Sequence, residues 1–444
     1  NGFLSYFGIA EYDFKKKYFL RASARRDGFS GLADGNKYGN FGGASIGWTI
    51  SEESFYKNLS ISNTIDNIKI RASYGKVGNM GLPDFGSLSL YNSGLYGDVN
   101  TITYAQAGNP YLKWETSTKS DIGIVVGLLK DRFQFEASYF NNNINGLVLN
   151  APQAPSKGIP NNSILINVGS MYNKGIELSL ESANISKSNF TWTSNINFTT
   201  LANEVTSLTD NNADIVGTTS NLEQTNITRL GYSLGSIYAV RTTGVNPANG
   251  NRIFLNKDGK QVQFCHVVPA GQSRWTYMDG TSAPAITGAD AVVIGNALPK
   301  WYGGFNNTFK FRDVIDLNIG ITFSGGNYVY NGSKAGMRDQ RFWNNSTDVL
   351  HRWTTDGQVT DIPKIVFGDN VSNGSAFAIS ENVEKADFIK FRNIALGYTF
   401  TEKVFGKTGI TSLRAYAQVS NIYTLTKYTG SDPEVSSNGN SNLT

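Results

Sequence analysis

Residues 18–27 read Y-F-L-R-A-S-A-R-R-D, and this alternation of apolar and polar side chains decides the fold class. Side chains on a β-strand point alternately to opposite sides, so the segment has one apolar and one polar face. The apolar face carries Tyr18, Leu20, Ala22 and Ala24, and the polar face carries Phe19, Arg21, Ser23 and Arg25. Many such strands side by side make a wall that suits lipid on one side and water on the other.

The same pattern recurs along the chain and predicts twelve strands. They are Leu4–Phe14, Tyr18–Asp27, Gly42–Ser51, Asp66–Lys76, Glu115–Lys130, Asp131–Leu147, Ile166–Asn184, Ser188–Val205, Lys300–Arg312, Asp313–Gly325, Phe388–Thr401 and Gly409–Ile422. Short and long connections alternate between them, as in outer-membrane barrels with short periplasmic turns and long outer loops. We therefore predict an all-β fold, a transmembrane antiparallel β-barrel. The long connection at residues 206–299 has room for a further strand at Ser236–Thr243.

The amino-acid composition agrees with a barrel whose interior is filled with water. The 444 residues include 47 Gly, 22 Tyr and 26 Phe, and only 17% of the chain is charged. The longest apolar run, Ile122–Leu129, is far shorter than the ~20 residues of a membrane helix. The net charge of +4 and the lack of a dense basic run argue against a nucleic-acid partner. Four tryptophans near strand ends predict an aromatic girdle at the membrane interfaces: Trp48, Trp114, Trp192 and Trp301.

Residues for catalysis or for a metal site are sparse. The two histidines, His266 and His351, lie in long loops and have no nucleophile–base arrangement around them in the sequence. Cys265 beside His266 supplies two adjacent ligands, which cannot complete a tetrahedral metal shell alone. We therefore expect neither an enzyme nor a bound cofactor or metal.

Several long strings then identify a family. The chain reads I-G-N-A-L-P-K-W-Y-G-G-F-N-N-T-F from Ile294, F-S-G-G-N-Y-V-Y-N from Phe323 and V-E-K-A-D-F-I-K-F-R-N-I-A-L-G-Y-T-F from Val383. It also reads I-R-A-S-Y-G-K-V-G-N from Ile70 and N-P-Y-L-K-W-E-T from Asn109. In their residues and in their order along the chain, these strings resemble the C-terminal barrel half of SusC/RagA-like TonB-dependent outer-membrane transporters.

The resemblance implies a barrel of 22 strands plugged by an N-terminal domain. Residues 1–444 are then expected to be the C-terminal portion of the barrel, with the signal peptide, plug, TonB box and final strand outside this chain. The implied partners are a SusD-like surface lipoprotein, TonB with ExbB and ExbD acting through the N-terminal part, and outer-membrane lipid. A dimer of transporter–lipoprotein pairs is also implied.

The implied function is active import of a bulky nutrient, either a glycan or an oligopeptide, across a Gram-negative outer membrane. Loop aromatic residues are the candidates for substrate contact: Tyr91, Tyr96, Tyr104, Trp343 and Trp353. Polar residues of one loop are the candidates for docking the lipoprotein: Arg338, Arg341, Asn344 and Asn345. The alternative for both sets is a loop that packs against itself. A passive porin and a β-rich surface glycan-binding protein remain as alternative functions.

Overall fold

Among the described residues, twelve strands follow one another in an antiparallel sheet, and we call these twelve the wall; the short strand Ala202–Ser207 is a thirteenth member of that sheet. The computed structural model describes residues 2–82, 84–208, 212–218, 224–341, 343–406 and 408–435. The wall strands are β1 (Phe3–Phe14), β2 (Tyr18–Phe29), β3 (Tyr38–Thr49), β4 (Ile65–Asn79), β5 (Glu115–Leu128), β6 (Phe133–Asn145), β7 (Ser170–Lys187), β8 (Phe190–Thr200), β9 (Trp301–Phe311), β10 (Ile315–Gly325), β11 (Phe388–Thr401) and β12 (Ser412–Thr426). Their order in the sheet follows the chain, so each strand pairs with its sequence neighbours.

Tight turns join several of these strands with backbone in the left-handed region. Lys15 and Lys16 have φ of 54° and 58°, and the amide of Lys17 donates to the carbonyl of Phe14 at 3.0 Å. Arg312 and Asp313 repeat this geometry with φ of 53° and 52°. Two successive left-handed residues are the mark of a type I′ turn, whose twist matches that of paired strands.

In the part of the chain that the structure describes, the helices are short and all lie in connections. Three of the helices found in those residues are α-helical, at Ser54–Lys57, Gly332–Met337 and Glu402–Phe405. Seven 3-10 turns also lie within the described ranges, at Ile50–Glu52, Ser60–Asn63, Pro155–Lys157, Pro160–Asn162, Gly288–Asp290, Thr347–His351 and Ser380–Asn382. None of the helices among the described residues has the length and apolar character needed to cross a membrane.

The longer connections carry strands of their own, which pair mainly with one another. These are Leu90–Tyr96, Val99–Gln106, Val148–Pro152, Ser163–Asn167, Ala202–Ser207, Ile215–Thr218, Gln224–Thr228, Ser236–Ala239, Thr242–Val245, Arg252–Leu255, Gln261–Phe264, Trp275–Tyr277, Val292–Gly295, Tyr328–Tyr330 and Val383–Lys385. Ala202–Ser207 is the exception, because it pairs with β7 of the wall.

The chain divides into two compact units. The first comprises Asn1–Ala213, Trp301–Phe323 and Ile389–Thr424, and it contains most of the wall. The second comprises Asp214–Lys300, Ser324–Phe388 and Leu425–Thr444, and we call it the loop body. The loop body has its own apolar core around Val240, Phe254, Val262, Phe264 and Ile379.

All twelve predicted strands are confirmed, but several bounds are wrong, including those of Gly42–Ser51 and Gly409–Ile422, and the largest error lies between residues 166 and 205. The sequence predicts Ile166–Asn184 and Ser188–Val205, whereas the strands are β7 (Ser170–Lys187) and β8 (Phe190–Thr200). The alternation of apolar and polar residues already begins before β7, in Ser163–Asn167, and it continues after β8, in Ala202–Ser207. Ser163–Asn167 pairs with Val148–Pro152, and Ala202–Ser207 pairs with β7. The further strand expected at Ser236–Thr243 is in fact two strands, Ser236–Ala239 and Thr242–Val245.

Candidate functional site

One face of the wall is apolar from strand to strand. The registers place six residues in one row across β2 to β7: Leu20, Ile46, Ala72, Ile122, Tyr139 and Ile176. All but Ala72 are exposed large apolar side chains. A continuous exposed apolar band of this extent suits contact with lipid, because a water-facing surface rarely carries one.

Three of the four tryptophans predicted to form a girdle share this face. Trp48 lies directly opposite Tyr18, and Trp301 lies opposite Thr200, which continues the row onto β8. Trp192 is on the same face of β8, at the other end of the strand opposite Phe309. The prediction for Trp114 is wrong, because its ring packs against Phe41, 5.4 Å away between centroids. Phe41 pairs with Arg25 and so belongs to the opposite face.

The opposite face carries ion pairs between strands of the wall, two of which reach across an intervening strand. The pairs are Arg21–Glu11 at 3.1 Å, Arg71–Asp121 at 3.0 Å, Arg71–Glu136 at 2.5 Å and Arg414–Asp316 at 2.6 Å. Their side chains are partly exposed, so each pair contributes little to stability. Together they give the face a dense set of charged donors and acceptors.

Glycines on adjacent strands leave room for two of these pairs. A Cβ at Gly123 would lie 3.1 Å from Nε of Arg71, and a Cβ at Gly397 would lie 2.5 Å from both Arg414 and Asp316. Strand glycines often mark such close approaches. The guanidinium groups can therefore lie flat along the wall rather than project away from it.

A pocket of about 510 Å³ opens on the polar face beside these pairs. Its lining includes Glu11, Asp13, Phe19, Arg21, Lys69, Arg71 and Asp121. The Lys69 ammonium lies 4.3 Å from the centroid of the Phe19 ring, a cation–π contact. Both signs of charge and an aromatic ring in this pocket can contact a polar solute.

The candidate tyrosines lie on one hairpin of the first unit, Leu90–Tyr96 with Val99–Gln106. Tyr91 and Tyr104 are opposite each other, with ring centroids 5.2 Å apart. Tyr96 stands at the other end beside the turn and is 84% exposed. The hairpin therefore brings two of the three tyrosines together and leaves the third open to solvent.

Arg338 is not on the surface. It is only 7% exposed, and its guanidinium donates to Asp348 at 2.6 Å and contacts Glu381 at 3.5 Å. Burial alone would raise the pKa of Asp348, but hydrogen bonds from Ser346 and Arg338 outweigh it and hold that pKa below its usual value. The guanidinium of Arg338 therefore holds the loop body together.

The other candidates of this loop are more open. Asn344, Asn345 and Trp343 are exposed, and Arg341 is half-buried with a two-pronged contact to Asp339 at 2.7 and 3.0 Å. The amide of Asn345 donates to the carbonyls of Met337 and Asp339 at 3.1 and 2.8 Å. These contacts fix the loop's shape while leaving Asn344 and Trp343 at its surface.

Trp353, the last aromatic candidate, is half-buried in the loop body. Its indole N–H donates to the carbonyl of Pro247 at 2.8 Å, and its ring covers Gly250. A Cβ at Gly250 would lie 2.4 Å from the ring. The backbone there has φ of 72°, so both space and conformation call for glycine.

The sequence did not reveal Arg252, which is fully buried in the loop body. Its Nε donates to the carbonyl of Ser372 at 2.9 Å, while its two terminal nitrogens have no hydrogen-bond partner among the described residues. Burial lowers the pKa of Arg252 to about 10. It begins the short strand Arg252–Leu255, where nothing in the pattern distinguishes a buried arginine from an exposed one.

The described residues contain no group of three His, Cys, Asp or Glu side chains placed to hold a metal ion. Cys265 donates to the carbonyl of Val267 at 3.2 Å, and the Lys364 ammonium lies 4.0 Å from its sulfur. His266 packs beside Gly368 and Phe264. These contacts account for Cys265 and His266 by local packing.

Comparison with known proteins gives a family match over nearly the whole chain. The family model described as TonB dependent receptor-like, beta-barrel matches residues 2–422. TonB-dependent receptor P3 of Formosa agariphila is 30% identical over 446 residues, covering 99% of this chain and 42% of the relative. TonB-dependent receptor SusC of Bacteroides thetaiotaomicron is 27% identical, covering 98% of this chain and 42% of the relative. The chain thus spans less than half the length of these relatives.

Solved structures share the fold. The RagAB peptide transporter matches with a TM-score of 0.82 at 23% identity, covering 99% of this chain and 45% of the other. The RagAB peptide importer in its open-open state matches with a TM-score of 0.78 at 24% identity, covering 97% and 44%.

Proposed function

This chain belongs to the TonB-dependent receptor-like β-barrel family of multi-pass outer-membrane proteins, and from that membership we propose that it forms part of an energy-driven nutrient importer. The cargo is a bulky polar molecule, a glycan or an oligopeptide. The single observation that carries this proposal is the polar face, where ion pairs and a pocket line the wall opposite the apolar rows. Membership of an outer-membrane β-barrel family argues against the alternative of a β-rich surface glycan-binding protein.

The polar face suits passage better than tight binding. The arginines of this face are already paired with carboxylates, so a solute would exchange contacts with them rather than fill vacant ones. Transport requires binding that is favourable enough to admit the cargo and weak enough to release it. Partly exposed ion pairs, which are worth little individually, meet that requirement.

Aromatic residues of the outer connections are the proposed first contacts with the cargo. Tyr96 is the foremost of these because it is the most exposed, and the Tyr91–Tyr104 pair offers two neighbouring ring faces. Trp343 is exposed at the surface of the loop body, whereas Trp353 is hydrogen-bonded to Pro247 and packs against Gly250. We therefore assign direct contact to Tyr91, Tyr96, Tyr104 and Trp343, and a supporting role to Trp353.

The proposed partners are a SusD-like surface lipoprotein outside and TonB with ExbB and ExbD on the other side. The lipoprotein would dock on Arg341, Asn344 and Asn345, with Arg338 holding their loop in shape from within. A TonB-contact segment and a plug would belong to parts of the protein outside residues 1–444. Two transporter–lipoprotein pairs would form the complete assembly.

The test is affinity purification of the full-length protein from detergent-solubilised outer membranes, followed by mass spectrometry and uptake measurements. We expect a stoichiometric surface lipoprotein in the eluate, and uptake of labelled oligosaccharides or oligopeptides that stops when TonB is depleted. Uptake that continues without TonB, together with a lipoprotein-free eluate, would favour a passive porin and overturn the proposal.

A further inference from the structure

The connection between β3 and β4, residues 50–64, is fastened to the apolar side of the wall. The Glu53 carboxylate accepts hydrogen bonds from the Tyr18 hydroxyl at 2.6 Å and the Trp48 indole at 3.2 Å. Tyr18 and Trp48 are opposite each other in register and lie on the face that carries Leu20 and Ile46. The connection therefore folds onto the lipid-facing side of the wall rather than beneath the polar face.

This connection presents apolar side chains outward. Phe55, Leu59 and Ile61 are 58%, 49% and 50% exposed. Their neighbour Tyr56 points inward instead, is buried, and donates its hydroxyl to the carbonyl of Ile65 at 2.7 Å. Tyr56 thus packs the connection against the protein, and the side chains of Phe55, Leu59 and Ile61 face outward.

A turn that carries two lysines is joined to this connection. The amide of Thr49, the last residue of β3, donates to the carbonyl of Lys17 at 2.8 Å, and the Lys17 ammonium lies 2.8 Å from the Glu53 carboxylate. That turn presents Lys15 and Lys16, both exposed and without an ion pair among the residues that the structure describes. Both lysines adopt left-handed backbone, which asparagine and glycine adopt at lower cost.

We propose that Lys15, Lys16, Phe55, Leu59 and Ile61 form a binding site for an anionic phospholipid of the periplasmic leaflet. The short turns of outer-membrane barrels face that leaflet. The lysine ammonium groups receive the phosphate, and the apolar side chains contact the upper part of the acyl chains. A net-negative headgroup is required, because a zwitterionic headgroup carries its own ammonium beside the phosphate.

A second turn of the wall provides a matched control. Arg312 occupies a left-handed turn position and lies 5.1 Å from the ring of Phe311, just as Lys15 lies 5.2 Å from the ring of Phe14. The β9–β10 turn carries Asp313, a carboxylate, at the next left-handed position, where the β1–β2 turn carries its second lysine, Lys16. The two turns therefore share the cation and the aromatic ring but differ in the proposed site.

The experiment titrates the delipidated full-length protein in detergent with phosphatidylglycerol or phosphatidylethanolamine and counts bound lipids by native mass spectrometry. We expect phosphatidylglycerol to bind at least about tenfold more tightly than phosphatidylethanolamine. The double variant Lys15→Gln/Lys16→Gln should lose that preference, Lys15→Arg/Lys16→Arg should keep it, and Arg312→Gln should leave it unchanged. Phe55→Ser/Leu59→Ser should weaken binding of both lipids.

Equal binding of the two lipids by the parent protein would overturn the site. So would an Arg312→Gln variant that loses as much preference as the lysine variant, because the effect would then be general surface charge. Heat-modified migration on gels verifies that every variant is folded. The assay uses neither nutrient nor TonB, so its failure would leave the import proposal standing.

Discussion

The guanidinium of Arg71 on β4 lies 3.0 Å from the carboxylate of Asp121 on β5. Its other terminal nitrogen reaches Glu136 on β6 at 2.5 Å, so one side chain ties three strands together on the polar face. Gly123, which lies opposite Arg71, leaves the space that this arrangement needs.

Replacing Arg71 should disturb the charge of this face more than its stability. All three side chains are partly exposed, so Arg71→Met should cost about 1 kcal/mol or less. We expect a small shift in the heat-modification midpoint of the full-length barrel, with Lys119→Met on the neighbouring strand as the control. A large shift, or failure to assemble, would mean that the pair is structurally essential.

Charging the apolar face should be costly. Ile122 is exposed in the middle of the six-residue row, and an arginine on the lipid side costs about 2–4 kcal/mol near the membrane midplane. The measurement is the fraction of Ile122→Arg protein that assembles into membranes. Ser73→Arg, on the opposite face, should assemble normally. Equal assembly of the two variants would contradict the assignment of the faces.

Acid should release the connection at residues 50–64. Hydrogen bonds from Lys17 and Tyr18 lower the pKa of Glu53 to about 2, from an ordinary value of 4.5. A lowered pKa stabilises the folded state fully above pH 4.5, and the stabilisation is lost as the pH falls towards 2.

Pepsin provides the measurement of this release, because it is active in acid. Cleavage near Phe55, normalised to a reference peptide, should rise as the pH falls from 4.5 to 2 in the parent protein. Glu53→Gln should be cleaved throughout that range, and Glu11→Gln should behave like the parent. An unchanged profile in Glu53→Gln would show that Glu53 does not hold the connection.

Arg252 should be replaceable by an apolar residue of similar length. A buried guanidinium with unpaired nitrogens pays for its desolvation, so Arg252→Met should be neutral or stabilise the loop body by about 1–3 kcal/mol. Arg252→Ala leaves a cavity and should cost about 2–4 kcal/mol. Amide exchange of residues 252–255 would report both effects, with the exposed Arg274→Met as the control. Strong destabilisation by methionine would mean that the guanidinium has an essential partner.

Arg338 and Asn344, two residues of one loop, should behave differently. Arg338→Ala should destabilise the loop body by about 2–3 kcal/mol, less than for a fully buried pair because the Asp348 side chain is 40% exposed. It should therefore lower the yield of folded protein, and so should Arg341→Ala, because it leaves the buried Asp339 carboxylate without its arginine. Asn344→Ala should leave the yield unchanged and reduce recovery of the lipoprotein. Normal recovery with Asn344→Ala would count against this loop as the docking site.

The wall was predictable because each strand carries enough alternating residues to define two faces, as Tyr18–Phe29 does. The largest error in the bounds arose where alternation ran on into another strand, as at Ala202–Ser207. The loop body was not predictable, since strands as short as Trp275–Tyr277 hold too few residues to show a period. The burial of Arg338 could not be foreseen either, because its partner Glu381 is 43 residues away.

The division of the loop body among three chain segments imposes an order on folding. Val240 and Ala378 are joined backbone to backbone at 2.9 Å, yet β9, β10 and the long connection after it separate them in the chain. Closing so long a loop is entropically expensive, whereas each wall hairpin closes over a few residues. Hairpins of the wall should therefore form first and independently. The core around Val240 and Ile379 can form only after Asp214–Lys300 and Ser324–Phe388 have both reached the same side of the membrane. We therefore expect this core to fold later than the wall hairpins.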